Sequence, residues 1–381
     1  MGVGGFLMTK NQLEMNNRPM DVNCKNDGQC YQTEFGTPLN DFARKIGLST
    51  VKDPKTGQEL PIIAALVDNT LKELSFRIMT SHQIEFIGIN HPDGRRCYIR
   101  SLCFVLQNAV RALYPDKTLV VDHSLPSGLY CEIKDNAKNG DGFNPVYFIK
   151  LEEIEALKDK MKEIVAQDLP FQKTKMPLEE TVQLFKEQNQ PDKAELISSI
   201  GRIYNSVYWL DGHADTFHGP LLPSTGYLKT FDLVAFNKGF YIQLPCLVDY
   251  HRVMPIKRQS KIAAALEEYS HWTEVMNIKG IGSLNQAIMN GRAIEIINLS
   301  ETFLERKYAS IADQIHARKG ELRVVFIAGP SSSGKTSSSL RLALQLKALG
   351  LNPKVIELDN YFIDREHTPR DENGDYDFES L

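Results

Sequence analysis

The chain has 381 residues, of which 42% are hydrophobic and 24% charged, with a formal net charge of −4. That balance excludes a disordered protein, gives no bulk electrostatic case for nucleic acid or an anionic membrane, and leaves room for about two or three domains. No apolar run approaches the roughly 18 residues of a membrane helix, and six cysteines without a CxxC pair or a signal-like start predict reduced thiols in a cytoplasmic protein.

Residues 1–36 are rich in Asn, Gly, Lys and Met without sustained periodicity, which predicts a flexible leader. A small α+β domain is expected over 37–95, with a helix over 40–48, strands over 62–67 and 84–89, and turns at Asp53-Pro54, Thr56-Gly57 and Pro92-Asp93-Gly94. Residues 96–257 read as a second α+β unit. Its helix over 100–113 precedes paired strands at 118–121 and 128–133. Two charged helices follow over 151–165 and 177–188, then strands near 207–209, 228–235 and 239–244. Long helices over 257–276 and 283–319 make 258–319 a helical connector.

The last segment, 320–381, carries the strongest motif. Residues 322–328 (LRVVFIA) have the β-branched, apolar character of a buried parallel strand, residues 329–336 read GPSSSGKT, and helical spacing begins at Ser337. This order aims backbone N–H groups and a helix dipole at one point, where phosphate binds. Gly329 and Gly334 bring bare backbone close, Lys335 supplies a cation, and Thr336 offers a hydroxyl to Mg²⁺. With Ser331, Ser332, Ser333 and Ser337 these residues form a site for ATP and Mg²⁺. A second strand over 353–358 leads into Asp359, and in a doubly wound parallel sheet ligands gather at strand carboxyl ends. Spacing leaves Asp359 open between a proton acceptor or Mg²⁺ partner and a plain turn or cap residue.

GPSSSGKT followed by a strand-terminal Asp in LDNYFIDRE, and then YDFE, resembles the start of the uridine kinase and phosphoribulokinase family over 322–381. That resemblance implies Asp359 as catalytic base alongside Lys335, and Asp377 near the acceptor sugar. It places Tyr361 and Phe362 at the substrate, with Phe362 standing where many members carry Tyr. The front half, in PIIAALVDNTLKELSF, IEFIGINHPDGRR, RSLCFVLQNAVRALYPDK and GHADTFHGPLLPSTGYLKTFDL, resembles the TGS domain and the editing-type domain of threonyl-tRNA synthetases. The four metal-ligand positions of that editing site match Arg100, Phe104, Phe217 and Leu221, none of which is a soft or imidazole ligand, so an editing hydrolase is excluded. His213 with His218, and Cys246 with His251, are each separated by four residues; a metal site and ordinary surface histidines both fit that spacing.

The expectation is therefore an α/β and α+β multidomain kinase that moves the γ-phosphoryl group of ATP to a nucleoside or sugar hydroxyl. Its P-loop sheet is incomplete, because residues 320–381 supply only two strands, the loop and one helix. A truncated P-loop domain, little turnover, and association through an unpaired apolar edge follow. The alternative is an ATP-sensing protein that binds RNA or nucleotide without turnover, its N-terminal half contacting the nucleic acid.

Overall fold

A computed structural model describes residues 19–125, 128–136, 145–257, 259–330, 332–361 and 363–377. It is a mixed α/β protein of two compact units, one made of Met1–Glu274 with Ile278–Asn285, the other of Val275–Asn277 with Gln286–Leu381.

The first unit begins with a five-stranded sheet in the order Gln29–Thr33, Met20–Cys24, His82–Ile87, Ala64–Val67, Thr70–Lys72. This corrects the expected leader. Residues 20–33 form a hairpin whose first strand runs parallel to His82–Ile87 with Val22 opposite His82. Val22 and Cys24 point inward and their neighbours outward, a period-2 pattern too short to stand out beside the Asn- and Gly-rich stretch around it. The remainder of the expected leader, residues 1–18, lies outside the described residues. Helix Leu39–Lys45 closes one face with Leu39, Phe42 and Ala43, and Phe42 stacks on Phe86 with ring centroids 6.3 Å apart.

Helix Pro92–Leu113 organises the rest of this unit. It starts earlier than the turn reading of Pro92-Asp93-Gly94 implied, because those residues are a helix start: the His91 ring accepts the Asp93 N–H, and Pro92 takes the first-turn position where its missing N–H costs nothing. The helix packs against helix Leu151–Ala166 and against strands Lys117–Leu125 and Tyr204–Leu210. An antiparallel sheet runs in the order Lys117–Leu125, Gly128–Asp135, Gly239–Gln243, Asp232–Phe236. A second, three-stranded sheet joins Gln172–Pro177, Tyr204–Leu210 and His213–Asp215. Leu102, Phe104, Leu106, Ile133, Leu157 and Phe240 form the dry centre between these layers.

The expected helix over 283–319 is two helices, Ile281–Met289 and Ala293–Ala317, broken where Gly291 takes a left-handed conformation. In the second unit Ala312 of the latter meets Leu342 and Leu346 of helix Lys335–Ala348. The expected strands over 322–328 and 353–358 do not form. Among the described residues neither stretch joins a sheet, Phe326 is 88% exposed, and residues 358–361 wind into a 3₁₀ turn instead. A parallel strand has no hydrogen-bonding partner within itself, so strand propensity cannot produce one when nothing lies alongside.

Removing residues 1–35 takes two of the five strands, Met20–Cys24 and Gln29–Thr33, out of the first sheet and uncovers Phe42 and Ile84. The shortened chain is expected to lose the cooperative thermal transition of this sheet, followed by far-ultraviolet circular dichroism; an unchanged melting profile would show the hairpin to be dispensable.

Candidate functional site

Two places bring chemistry-bearing residues together. The first lies on helix Pro92–Leu113. Arg100 turns its guanidinium onto the Pro220 carbonyl, donating from Nε at 3.0 Å and from Nη2 at 2.8 Å, and Nη2 also approaches Cys97 Sγ at 3.4 Å. One residue on, the Ser101 hydroxyl donates to the Cys97 carbonyl and accepts the Leu222 N–H, each at 2.9 Å. The segment through Pro220 is thereby fastened to the helix from two successive positions.

Phe104, a turn further along and 1% exposed, meets the Phe217 ring at 5.3 Å and Phe171 at 6.0 Å, and Leu221 is buried in the same core. The four residues singled out from the sequence thus converge as one plug of aromatic, aliphatic and guanidinium groups. Such a set can exclude water and fix backbone; it cannot polarise a water molecule for attack.

The plug rests on residues that sequence reasoning passed over. Tyr208 packs edge-on to Phe217 at 6.0 Å, and its phenol hydrogen-bonds the Glu73 carboxylate, which also pairs with Lys173 at 2.8 Å. Burial and then the Glu73 carboxylate push the Tyr208 phenol above its ordinary range. Asp215, buried, is paired with Lys193. Ser101 carried one readable signal, a hydroxyl inside an apolar helical stripe; the Glu73 to Tyr208 link spans distant chain positions and has none.

His213 lies on the strand His213–Asp215, and burial and then the charge of Arg111 hold its imidazole below the usual range. Among the described residues no three His, Cys, Asp or Glu side chains gather as a metal would need, so the spaced pairs His213/His218 and Cys246/His251 do not make one donor set.

The second place is the loop before helix Lys335–Ala348. Gly334 stands at the helix N-cap with φ +81°, a left-handed turn that presents the first free N–H groups of the helix outward. A Cβ on Gly329 would come within 2.5 Å of Ser333 Oγ, so a side chain there would require the serine hydroxyl to turn aside. Lys335 folds its ammonium back to donate to the carbonyls of Gly329 at 2.9 Å and Pro330 at 3.2 Å. Ser332, Ser333, Thr336 and Ser337 are exposed around this turn. The loop residue Ser331 and the substrate candidate Phe362 lie outside the described residues. Asp359 is exposed on the 3₁₀ turn and, among the described residues, has no hydrogen bond or ion pair. Tyr361 is exposed as well, and the Asp377 N–H donates to the Pro369 carbonyl at 2.8 Å.

The first unit is thus a mixed α+β scaffold with Arg100, Phe104, Phe217 and Leu221 in its packed interior, and the second carries the GPSSSGKT loop at the start of a helix. The chain is similar to the threonine–tRNA ligase of Clostridium kluyveri, 25% identical over 221 residues, which cover 58% of this chain and 32% of the ligase. It is similar also to the threonine–tRNA ligase of Francisella tularensis subsp. tularensis, 26% identical over 215 residues, covering 56% of this chain and 31% of that protein. The chain spans about a third of the length of these curated relatives. No family model matches.

These relatives overturn the expectation of a nucleoside kinase with a small-molecule acceptor: they are ligases that act on tRNA, and the P-loop sheet which a kinase would need is not formed. The roles that rested on phosphoryl transfer, Asp359 and Lys335 in catalysis and Asp377, Tyr361 and Phe362 at the acceptor, fall with it. Among the described residues no helix is long and apolar enough to cross a membrane.

Cys97 beside Arg100 is fully buried, and burial pushes its thiol up from 9.0 to about 11; Cys131, equally buried, is raised further. A raised thiol favours the fold fully below the unfolded value of 9.0, and that contribution is lost as the pH climbs through the folded value. Stability to urea should therefore fall between pH 9 and 11. In iodoacetamide labelling at pH 8.5, read by mass spectrometry, exposed Cys30 should react while Cys97 and Cys131 stay protected until the chain unfolds. Equal labelling of all three would show the plug to be open.

Proposed function

We propose that this chain is a nucleotide-sensing, tRNA-binding relative of the threonine–tRNA ligases that carries out no editing hydrolysis. The observation that carries this reading is the plug: the scaffold around an editing-type site is kept, while Arg100, Phe104, Phe217 and Leu221 occupy its ligand positions and tie the Pro220 segment down. A fold retained around filled ligand positions is suited to binding rather than to water activation.

The net charge of −4 gives no general attraction for RNA, so contact falls to local surface. The edge strand Gln172–Pro177 supports such a contact. It exposes Lys173 and Lys175, and Thr174 accepts the indole N–H of the partly exposed Trp209 at 2.9 Å. The exposed Lys175 suits phosphate, and the partly exposed indole on the other face of the strand pair suits a base.

The loop fits a Mg²⁺-bound nucleoside triphosphate such as ATP. Gly329 and Gly334 leave the backbone bare, Lys335 holds a cation against loop carbonyls that phosphate oxygens can replace, and Thr336 presents a hydroxyl for Mg²⁺. Bound there, the nucleotide supplies charge and order to the loop, and the protein's residues bind and orient it.

Filter binding with unfractionated tRNA should show an affinity that weakens steeply with salt and falls on Lys175→Ala. Fluorescence titration with a labelled ATP analogue should show Lys335→Ala costing about tenfold or more, the value of one charge-assisted contact, with tRNA binding unaltered. No tRNA retained at low salt would sink the RNA half of the reading, and an unchanged nucleotide affinity in Lys335→Ala would sink the loop half.

A further inference from the structure

A row of rings crosses the antiparallel sheet of the first unit on the face turned away from its core. In the register of that sheet His123 stands opposite Tyr130, Tyr130 opposite Tyr241, and Tyr241 opposite Val234, so the row spans all four strands. Successive residues of a strand point to opposite faces, and Cys131, Ile133, Phe240 and Ile242 fill the core, which leaves Tyr130 and Tyr241 on the other side. Phe236 joins them: ring centroids lie 4.9 Å apart from His123 to Tyr130, 6.0 Å from Tyr130 to Tyr241 and 4.6 Å from Tyr241 to Phe236. Although this face lies outside the core, Tyr130 is only 6% and Tyr241 only 3% exposed.

Helix Ser260–Val275 is fastened across this face. Its Ser270 hydroxyl donates to the Asp122 carboxylate at 3.4 Å, Glu274 approaches Lys134 at 3.9 Å, and Glu267 accepts from Lys238, in the turn of the last strand pair, at 2.7 Å. Burial and then the carboxylates of Glu132 and Glu267 push the Tyr130 phenol above its ordinary range, so the helix carboxylate lies near that ring. The attachment is thin. Ala263 is the one buried residue among those described in the helix, and the glutamates of both lysine pairs are half-exposed, where ion pairs hold weakly. The helix thus sets carboxylates on lysines beside a row of rings, the two kinds of group with which a sheet holds the phosphates and bases of a single strand.

We propose that this helix is a displaceable strap over a stacking platform for single-stranded RNA. The inference rests on the tRNA reading above and adds a covered surface to the exposed edge strand. When the helix leaves, Tyr130, Tyr241, Phe236 and His123 offer ring faces to bases, and Lys134 and Lys238 exchange carboxylate for phosphate. His123 carries a further mark of the site. Its Nδ1 meets the Asp122 carboxylate at 2.8 Å, and since a carboxylate only accepts, the proton sits on Nδ1. Its Nε2 is buried with no hydrogen-bond partner among the described residues, left for a base edge or a ribose hydroxyl. The intact chain then binds such a strand with an affinity lowered by the fraction of molecules whose strap is open.

Fluorescence anisotropy of the whole chain with a labelled single-stranded RNA of about 12 nucleotides tests this. Glu267→Gln with Glu274→Gln should open the strap and tighten binding about fivefold or more. Asp159→Asn with Glu163→Gln, which removes two similarly exposed, lysine-paired carboxylates from helix Leu151–Ala166, should change it less than about twofold. Adding Phe236→Leu to the opened chain should cancel the gain, because it keeps apolar bulk and loses the stacking ring. In a second measurement, hydrogen exchange read by mass spectrometry should show residues 260–274 losing protection when the RNA binds, with residues 102–110 unchanged. Equal gains from both carboxylate pairs, a gain indifferent to Phe236→Leu, or unaltered exchange over 260–274 would each overturn the strap, even in a chain that retains tRNA. A chain that retains no tRNA, yet gains the oligonucleotide on Glu267→Gln with Glu274→Gln, would keep the platform and drop the tRNA reading.

Discussion

Arg100 and Ser101 hold the Pro220 segment against helix Pro92–Leu113, and the arrangement of the first unit depends on that attachment. A guanidinium sharing two of its N–H groups with one carbonyl, and a hydroxyl that both donates and accepts, satisfy backbone groups which would otherwise be buried without partners. A charge-assisted contact of this kind contributes about 1.5–3 kcal/mol. More important is its placement. With the segment fixed, Phe217 reaches Phe104 and Tyr208, and Tyr208 in turn reaches Glu73 in the neighbouring module. Position 100 therefore does structural work.

A ligand quartet can be replaced by residues of suitable bulk without loss of fold, because the helix, the Gly-Pro turn and the strands beneath need only filled volume and satisfied polar atoms. Chemistry is less forgiving: neither phenyl ring nor isobutyl group can hold a metal. The threonine–tRNA ligase likeness thus describes the scaffold.

The two units hold their candidate residues in different ways. In the first, side chains are immobilised by a continuous core, with helix Pro92–Leu113 covered on several sides. In the second, one helix pair supplies the packing through Ala312, Leu342 and Leu346, and the phosphate-type loop stands in solvent with Lys335 bonded to its own carbonyls. A loop of that sort is organised chiefly by local rules: a left-handed glycine and the start of a helix.

Local rules are also what the sequence could express by itself. The helix spacing of residues 151–165 and 177–188, the paired strands at 118–121 and 128–133, and the glycine-flanked turn of GPSSSGKT before a helix were all readable, since each depends on neighbouring residues or on one motif. Tertiary structure decided the rest. Residues 20–33 became a hairpin because a sheet stood ready to receive them, and their polar neighbours concealed it. Residues 322–328 and 353–358, strongly strand-like in composition, join no sheet among the described residues, because a ladder needs a second strand and no described strand pairs with them. The Glu73 to Tyr208 link, and the closing of Arg100 onto Pro220, join residues far apart in the chain, where spacing and propensity carry no information and only the packed core brings the partners into reach.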